Sequence, residues 1–184
     1  MTEPNRTSAC PCVIDKGDQT GGPAVDILIS QVNSRGWAVV HSDEPAWSYT
    51  LGRWHNRRQP EFLICGRPLG YSQPVGDRHH VLQKAVVAAG FDLDLLRLDE
   101  VDCGLPIPLK VKPVRVHESW HGTALMRAAR VFYNGELPEF RQLLWVGADE
   151  NFPGGDLDEA LIGHQPNLRV PRQRHPKYVW TALA

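Results

Sequence analysis

Three β-rich runs joined by short polar connections set the tightest limit on what this chain can become. Residues 37–41 are apolar and β-branched. Residues 46–51 place Trp47, Tyr49 and Leu51 on one side and Ser48 and Thr50 on the other, the period-two alternation of a strand. Residues 60–65 hold the apolar run Phe62-Leu63-Ile64-Cys65, closed by Gly66. Ser42-Asp43-Glu44-Pro45 is turn chemistry, and residues 52–59 read as a charged loop. Successive strands with such short connections pair antiparallel, so the region reads as a meander.

Helical periodicity brackets this meander. From Pro23 to Arg35, Val25, Leu28, Ile29 and Val32 fall at i, i+3, i+4 and i+7, one apolar stripe, with Gly36 as the stop. A second helix is expected over residues 77–89 and a third over residues 123–133, with Leu125, Met126, Ala129 and Phe132 inward. Residues 109–116 and 140–146 read as further strands, the first slipped at Pro113 and hence an edge or a bulge. A short helical piece is expected near residues 157–162. The order predicts an α+β fold: a single domain with a mostly antiparallel, curved or barrel-like sheet flanked by about three helices. Residues 1–20 form an irregular Cys-containing leader, 21–166 the domain, and 167–184 a loose Pro-rich basic tail.

A chain of 184 residues suits one domain of ordinary size, long enough to bury a core without staples. The formal net charge of −1 gives no field that would hold a polyanion, which argues against nucleic acid. No apolar run approaches the roughly 20 residues needed to span a bilayer, and residues 1–6 lack the apolar core of a signal peptide. The expected location is the cytoplasm, where Cys10, Cys12, Cys65 and Cys103 stay reduced. Cys65 reads as core; Cys10 and Cys12, in a polar leader, do not. Arg53, His55, Arg57 and Arg58 make a local positive patch, read as a solvated loop ahead of an anion site.

An ordered set of short motifs runs through the chain: Cys10 with Cys12, Gly36-Trp37-Ala38-Val39, Tyr49-Thr50-Leu51-Gly52, Pro60-Glu61-Phe62, Tyr133, Gln142 to Trp145, Asp149, Phe152-Pro153 and Gln165-Pro166. This set resembles a bacterial family of unknown function, DUF4262, over roughly residues 10–166. The leader departs from the family pattern, with Cys10-Pro11-Cys12 in place of Cys-x-x-Cys, and Asp149 is followed by Glu150-Asn151 without the usual Gly. The resemblance implies a fold and candidate positions, but no reaction.

Three groups of residues could carry chemistry. His117-Glu118-Ser119-Trp120-His121 matches the His-Glu-x-x-His pattern, which binds zinc when a helix puts both histidines on one face. Here Pro113 lies just upstream and Gly122 follows directly, so the segment is expected to straddle a strand end and a helix start, where that geometry fails. Cys10 and Cys12 are two soft ligands that His117 or His121 could complete into a zinc site if the leader folds back. Tyr49, Thr50, Arg53, Trp145 and Gln165 are read as ligand-binding positions at strand ends, where polar groups rim pockets. Glu61, His117 and Asp149 are the candidate catalytic groups, since a carboxylate near a histidine suits acid–base work. The plainer alternative makes Tyr49 and Trp145 core, pairs Glu61 with an arginine and gives Asp149 to a turn.

The leading functional expectation is therefore a small-molecule-binding domain or small enzyme with a pocket on the curved sheet. Its partner would be a small molecule, with zinc ahead of flavin as a cofactor. The first alternative is an immunity or regulatory module with a protein partner, marked by an exposed apolar patch without a cavity. The second is a zinc protein using Cys10, Cys12 and nearby histidines.

Overall fold

The computed structural model describes residues 10–16, 22–42, 46–66, 99–101, 109–145 and 165–177. The helix α1 spans Val13–Lys16 and α2 Pro23–Arg35. The strand β1 covers Ala38–Ser42, β2 Trp47–Leu51, and a short helix α3, Arg53–Arg57, leads to β3, Glu61–Cys65. After β4 (Asp99–Val101) and β5 (Leu109–Arg115) come two 3-10 turns, Glu118–Trp120 and Ala124–Met126, then α4 (Arg127–Phe132) and β6 (Phe140–Trp145). The helix and strands expected at 23–35, 37–51, 60–65, 109–116 and 140–146 are all present, each within about two residues. The helices expected at residues 77–89 and 157–162 lie outside the described residues.

The strands form one sheet in the order β1-β2-β3-β6-β5-β4. β1, β2 and β3 are the predicted antiparallel meander, with Val40 opposite Tyr49 and Tyr49 opposite Leu63. The β3–β6 pair is parallel, Leu63 beside Gln142, and the remaining pairs are antiparallel. Parallel neighbours need a long crossover, and here residues 66–139 supply it. The sheet is open rather than closed into a barrel, with β1 and β4 at its margins. Pro113 sits opposite Leu143 of β6, beyond Val111, where the described pairing with β4 ends. A residue without an N–H is tolerated where a ladder ends, and among the described residues no strand pairs with Pro113 on the β4 side.

α2 buries Val25 and Val32 fully and packs Leu28 and Ile29 against the core, as the stripe predicts. Phe132 and Ala129 of α4, with Leu125 and Met126 of the preceding turn, join them on Tyr49, Leu51, Leu63 and Phe140. Tyr49 stacks on Trp47 at 5.2 Å and takes the edge of Phe140 at 5.9 Å, so it is a core aromatic. β3 is buried along its whole length.

Three segments depart from the sequence expectation. Residues 53–57 are helical, not a loop: Gly52 enters at φ 101° and Arg58 leaves at φ 55°, so two left-handed residues bound one turn. Its basic side chains are spent on aromatic faces, Arg53 over Phe62, Arg57 over Trp37 and Arg58 over Trp54. The leader is not irregular throughout, since Cys10, Cys12 and Val13 are buried in the core. Residues 165–177 are packed, not loose. Leu168, Val170 and His175 are buried, and Trp120 donates from Nε1 to the Val170 carbonyl at 3.0 Å. His175 sets its ring edge-on to Trp120 at 5.2 Å. Two buried glutamines weld this segment to β6. Gln165 accepts from the Trp145 amide and donates to its carbonyl at 2.7 and 2.8 Å. Gln142 donates to the Pro166 carbonyl and accepts from the Leu168 amide at 2.6 and 2.7 Å. Side-chain amides thus make the link between β6 and this segment that, among the described residues, backbone pairing does not.

Gly52 is the tightest backbone position. A Cβ there would stand 2.6 and 2.7 Å from the Val32 methyls of α2, on a residue already at positive φ. Gly52→Ala is expected to cost about 2–4 kcal/mol, backbone strain and overpacking combined, read as a lowered urea midpoint at unchanged m-value. An unchanged midpoint would mean that α2 does not press on this turn.

Candidate metal centre

The site begins with Glu61, the first residue of β3, which is wholly buried. A carboxylate without solvent must be met by donors. Oε1 accepts from the Gly52 amide at 2.9 Å and the Trp54 amide at 3.1 Å, and Oε2 accepts from the Thr50 hydroxyl at 2.6 Å. The Tyr133 hydroxyl, at the end of α4, also donates to Oε1 and in turn accepts from the Gly52 amide at 3.0 Å. Burial still pushes the Glu61 carboxyl above its ordinary range, against its hydrogen bonds from Thr50, Tyr133 and Trp54 and the nearby Arg53 charge. Two of these acceptor contacts fix the first turn of α3, so Glu61 decides where α3 points its side chains.

One of those side chains is His55, and it points at the leader. The leader turns back on itself: the Asp15 Oδ2 accepts from the Cys10 amide at 2.9 Å, and the Cys12 carbonyl accepts from the Lys16 amide at 3.3 Å. Asn134, just past α4, donates to the Pro11 carbonyl at 2.8 Å and moors the loop. The result brings Cys10 Sγ, Cys12 Sγ, a carboxylate oxygen of Asp15 and a ring nitrogen of His55 within 4.8 Å of one another. Cys12 Sγ lies 3.2 Å from His55 Nδ1, and Asp15 Oδ1 lies 3.5 Å from the same nitrogen. The thiols are buried, while His55 and Asp15 keep 17% and 33% of their side-chain exposure.

The two thiols divide their proton unequally. A side-chain hydrogen bond with Cys10 holds Cys12 below the ordinary thiol range, outweighing its burial, with help from the Asp15 and Ile14 amides and the His55 charge. Cys10 is pushed up by that same bond and by burial. One sulfur is thus prepared as a thiolate, the form that binds metal.

The arrangement favours a convergent ion site over a nucleophilic relay. A catalytic relay uses both imidazole nitrogens, one toward the nucleophile and one toward the acid. Here the thiol and the carboxylate both face Nδ1. Four donors placed at about 2.0–2.3 Å from a tetrahedral ion stand about 3.3–3.8 Å apart; the Cys12–His55 and Asp15–His55 separations are 3.2 and 3.5 Å, and all four atoms lie within 4.8 Å of one another.

The other expected positions fall elsewhere. His117 and His121 are not in the cluster. The segment between them is a 3-10 turn, not an α-helix, and His117 caps it by accepting from the Ser119 amide at 3.1 Å. Arg53 is buried, donating to the Pro60 carbonyl at 3.1 Å and to Gln59 at 2.8 Å. Thr50 and Gln165 are hydrogen-bonded inside the fold, and Trp145 is buried with its Nε1 on the Cys65 carbonyl at 3.3 Å. Asp149 and Cys103 lie outside the described residues. Sequence reasoning missed Asp15 and assigned His55 to a basic loop. The available signal was a carboxylate three residues after Cys12, the spacing of one helical turn.

A family model for the domain of unknown function DUF4262 matches residues 31–156, roughly two-thirds of the chain. No curated protein and no solved structure matches. His55 lies inside the matched span, whereas Cys10, Cys12 and Asp15 precede it.

Removing the Glu61 carboxyl is expected to unmake the platform under His55. Glu61→Ala leaves three donors, the Thr50 and Tyr133 hydroxyls and the Trp54 amide, without an acceptor and should cost about 3–5 kcal/mol. Glu61→Gln keeps an acceptor at Oε1 and the shape of the neutral acid, and should cost much less. Denaturant unfolding of the pair checks this, and equal losses would refute it.

Proposed function

We propose that this chain, which belongs to the DUF4262 family, binds one divalent metal ion, zinc by preference, on Cys10, Cys12, Asp15 and His55. The observation that carries the reading is the convergence of two sulfurs, one ring nitrogen and one carboxylate oxygen within 4.8 Å. Two thiolates and an imidazole suit zinc, and the hard oxygen of Asp15 favours zinc over monovalent copper. Four protein ligands make a closed sphere, the mark of a structural rather than a catalytic ion. Its role is to clamp the leader onto α3. Asp15, the most exposed of the four, is the ligand that yields first.

The interaction-module reading has less support. Among the described residues the exposed large apolar side chains are Ile27 and Val131, one on α2 and one on α4. Scattered singly, such residues are ordinary surface. No described helix is long and apolar enough to cross a membrane.

Protein purified without added metal or chelator should carry about one zinc per chain by elemental mass spectrometry. Cys12→Ser and His55→Ala should each lower that occupancy. Cobalt(II) exchanged into the site should show thiolate-to-metal charge-transfer absorption that Cys12→Ser abolishes, a signature that a merely misfolded leader would not give. Reduced wild-type protein that takes up neither ion would sink the proposal.

A further inference from the structure

The histidines of the 117–121 segment remain unspent by the metal cluster, and they share a different feature. A half-open cleft of about 560 Å³ lies between the end of β5, the turn after it, the approach to β6 and the returning tail. Arg115, His117, Glu118, His121, Glu139 and Arg169 line it, with apolar walls from residues around Pro138. That volume suits a metabolite-sized ligand rather than a bare ion.

The charge in the cleft is unbalanced. Glu139 is neutralised by Arg141, whose Nε and terminal nitrogen both reach Oε1 at 2.7 Å. Arg115 and Arg169 are exposed, and neither has an ion-pair partner among the described residues. Among the described residues, two guanidiniums without an ion-pair partner therefore line the cleft beside one such carboxylate, Glu118. Burial pulls His121 below its ordinary value, the Glu118 charge opposes this, and the smaller effects of the Arg115 and His117 charges add to it.

The turn also fixes what His117 can offer. Its Nδ1 accepts from the Ser119 amide at 3.1 Å and lies 3.0 Å from the Ser119 hydroxyl, whose oxygen accepts from the Arg172 amide at 2.8 Å. With Nδ1 held as an acceptor, the neutral ring carries its proton on Nε2 and presents a donor. A His-Glu-x-x-His segment in a 3-10 turn is thus set up to donate to oxyanions rather than to ligate a cation.

We infer that this cleft binds a small organic polyanion whose phosphate or carboxylate groups are gripped by Arg115 and Arg169, with His117 Nε2–H donating to the same ligand. Guanidinium forks match both oxyanions, which is why the chemistry and not one compound is assigned. Glu118 at the rim selects against ligands whose charge is spread evenly around them.

Titration calorimetry at low ionic strength tests this with two probes, 3-phosphoglycerate and tricarballylate, one carrying a phosphate and the other carboxylates alone. Saturable binding of either is expected, with glycerol inert. Binding of the first alone assigns the cleft to phosphate esters, and binding of both to oxyanions in general. Arg115→Ala and Arg169→Ala, both at exposed positions, should each weaken binding roughly tenfold. No saturable heat from either anion, or binding unchanged in the double variant, overturns the inference.

Discussion

The buried carboxylate of Glu61 is the constraint around which the rest is arranged. It sits at the start of the central strand β3, with no exposure to water. Moving such a group out of water costs several kcal/mol unless donors replace the lost hydration. The donors come from three places: Thr50 at the end of β2, the amides of Gly52 and Trp54 that open α3, and Tyr133 at the end of α4. Satisfying one group therefore locks a strand, a turn and a distant helix into one geometry. Gly52 shows how little slack is left. Its amide reaches both Glu61 and Tyr133, and its α-carbon rests against Val32 of α2. A helix three turns long is thereby pressed onto the same knot.

How much of this the sequence discloses depends on the range of the interaction. Period-two alternation at Trp47, Tyr49 and Leu51 and the stripe at Val25, Leu28, Ile29 and Val32 are local patterns, and both elements appear where those patterns put them. The helix α3 was hidden because its residues 53–57 look like a charged loop; what makes them helical is a carboxylate eight residues from Arg53, reached only after β3 has folded beside β2. The packing of residues 165–177 was hidden for a similar reason. Pro166, Pro171 and a run of basic residues read as loose chain, yet Gln142 and Gln165 supply paired donors and acceptors that no periodicity reveals. The family motifs around Tyr49 to Gly52 and Pro60 to Phe62 were legible as motifs, and the structure gives the reason they sit together: they hold three of the partners in the Glu61 knot.

The candidate metal site was half legible. Cys10 and Cys12 stood out as soft ligands in a leader with no other evident purpose, and their companions were sought among the histidines at 117 and 121. Spacing in the chain could not name His55, because the contact spans 43 positions and depends on where α3 lies. Nor could it reveal Asp15, whose carboxylate is turned toward the thiols by the amide of Cys10. The His117–His121 segment shows the converse. Its spacing is that of a helical zinc motif, but Pro113 and Gly122 flank it, and the chain there makes a 3-10 turn capped by His117 itself. The same residue types acquire an opposite preference, donor instead of cation ligand, from one hydrogen bond to Ser119.

The leader explains why an ion at Cys10, Cys12, Asp15 and His55 would matter to the fold. Residues 10–16 form only one helical turn and bury few side chains, so their attachment has to outweigh the entropy of fixing them. Their polar ties to the rest of the fold include a side-chain bond from Asn134, a thiol–imidazole contact and the Asp15–His55 pair at 3.5 Å. A metal joining Cys12 to His55 closes a loop of 43 positions, a constraint of roughly 4 kcal/mol on the unfolded chain by the loop-closure model. That is several times the net worth of either hydrogen bond. It is also of the same order as the Glu61 knot at the first turn of α3. The helix would then be held at two points, by a buried carboxylate at its first turn and by a cation at His55. Stability of the leader and occupancy of the ion become one quantity, because each supplies the ligand geometry on which the other depends.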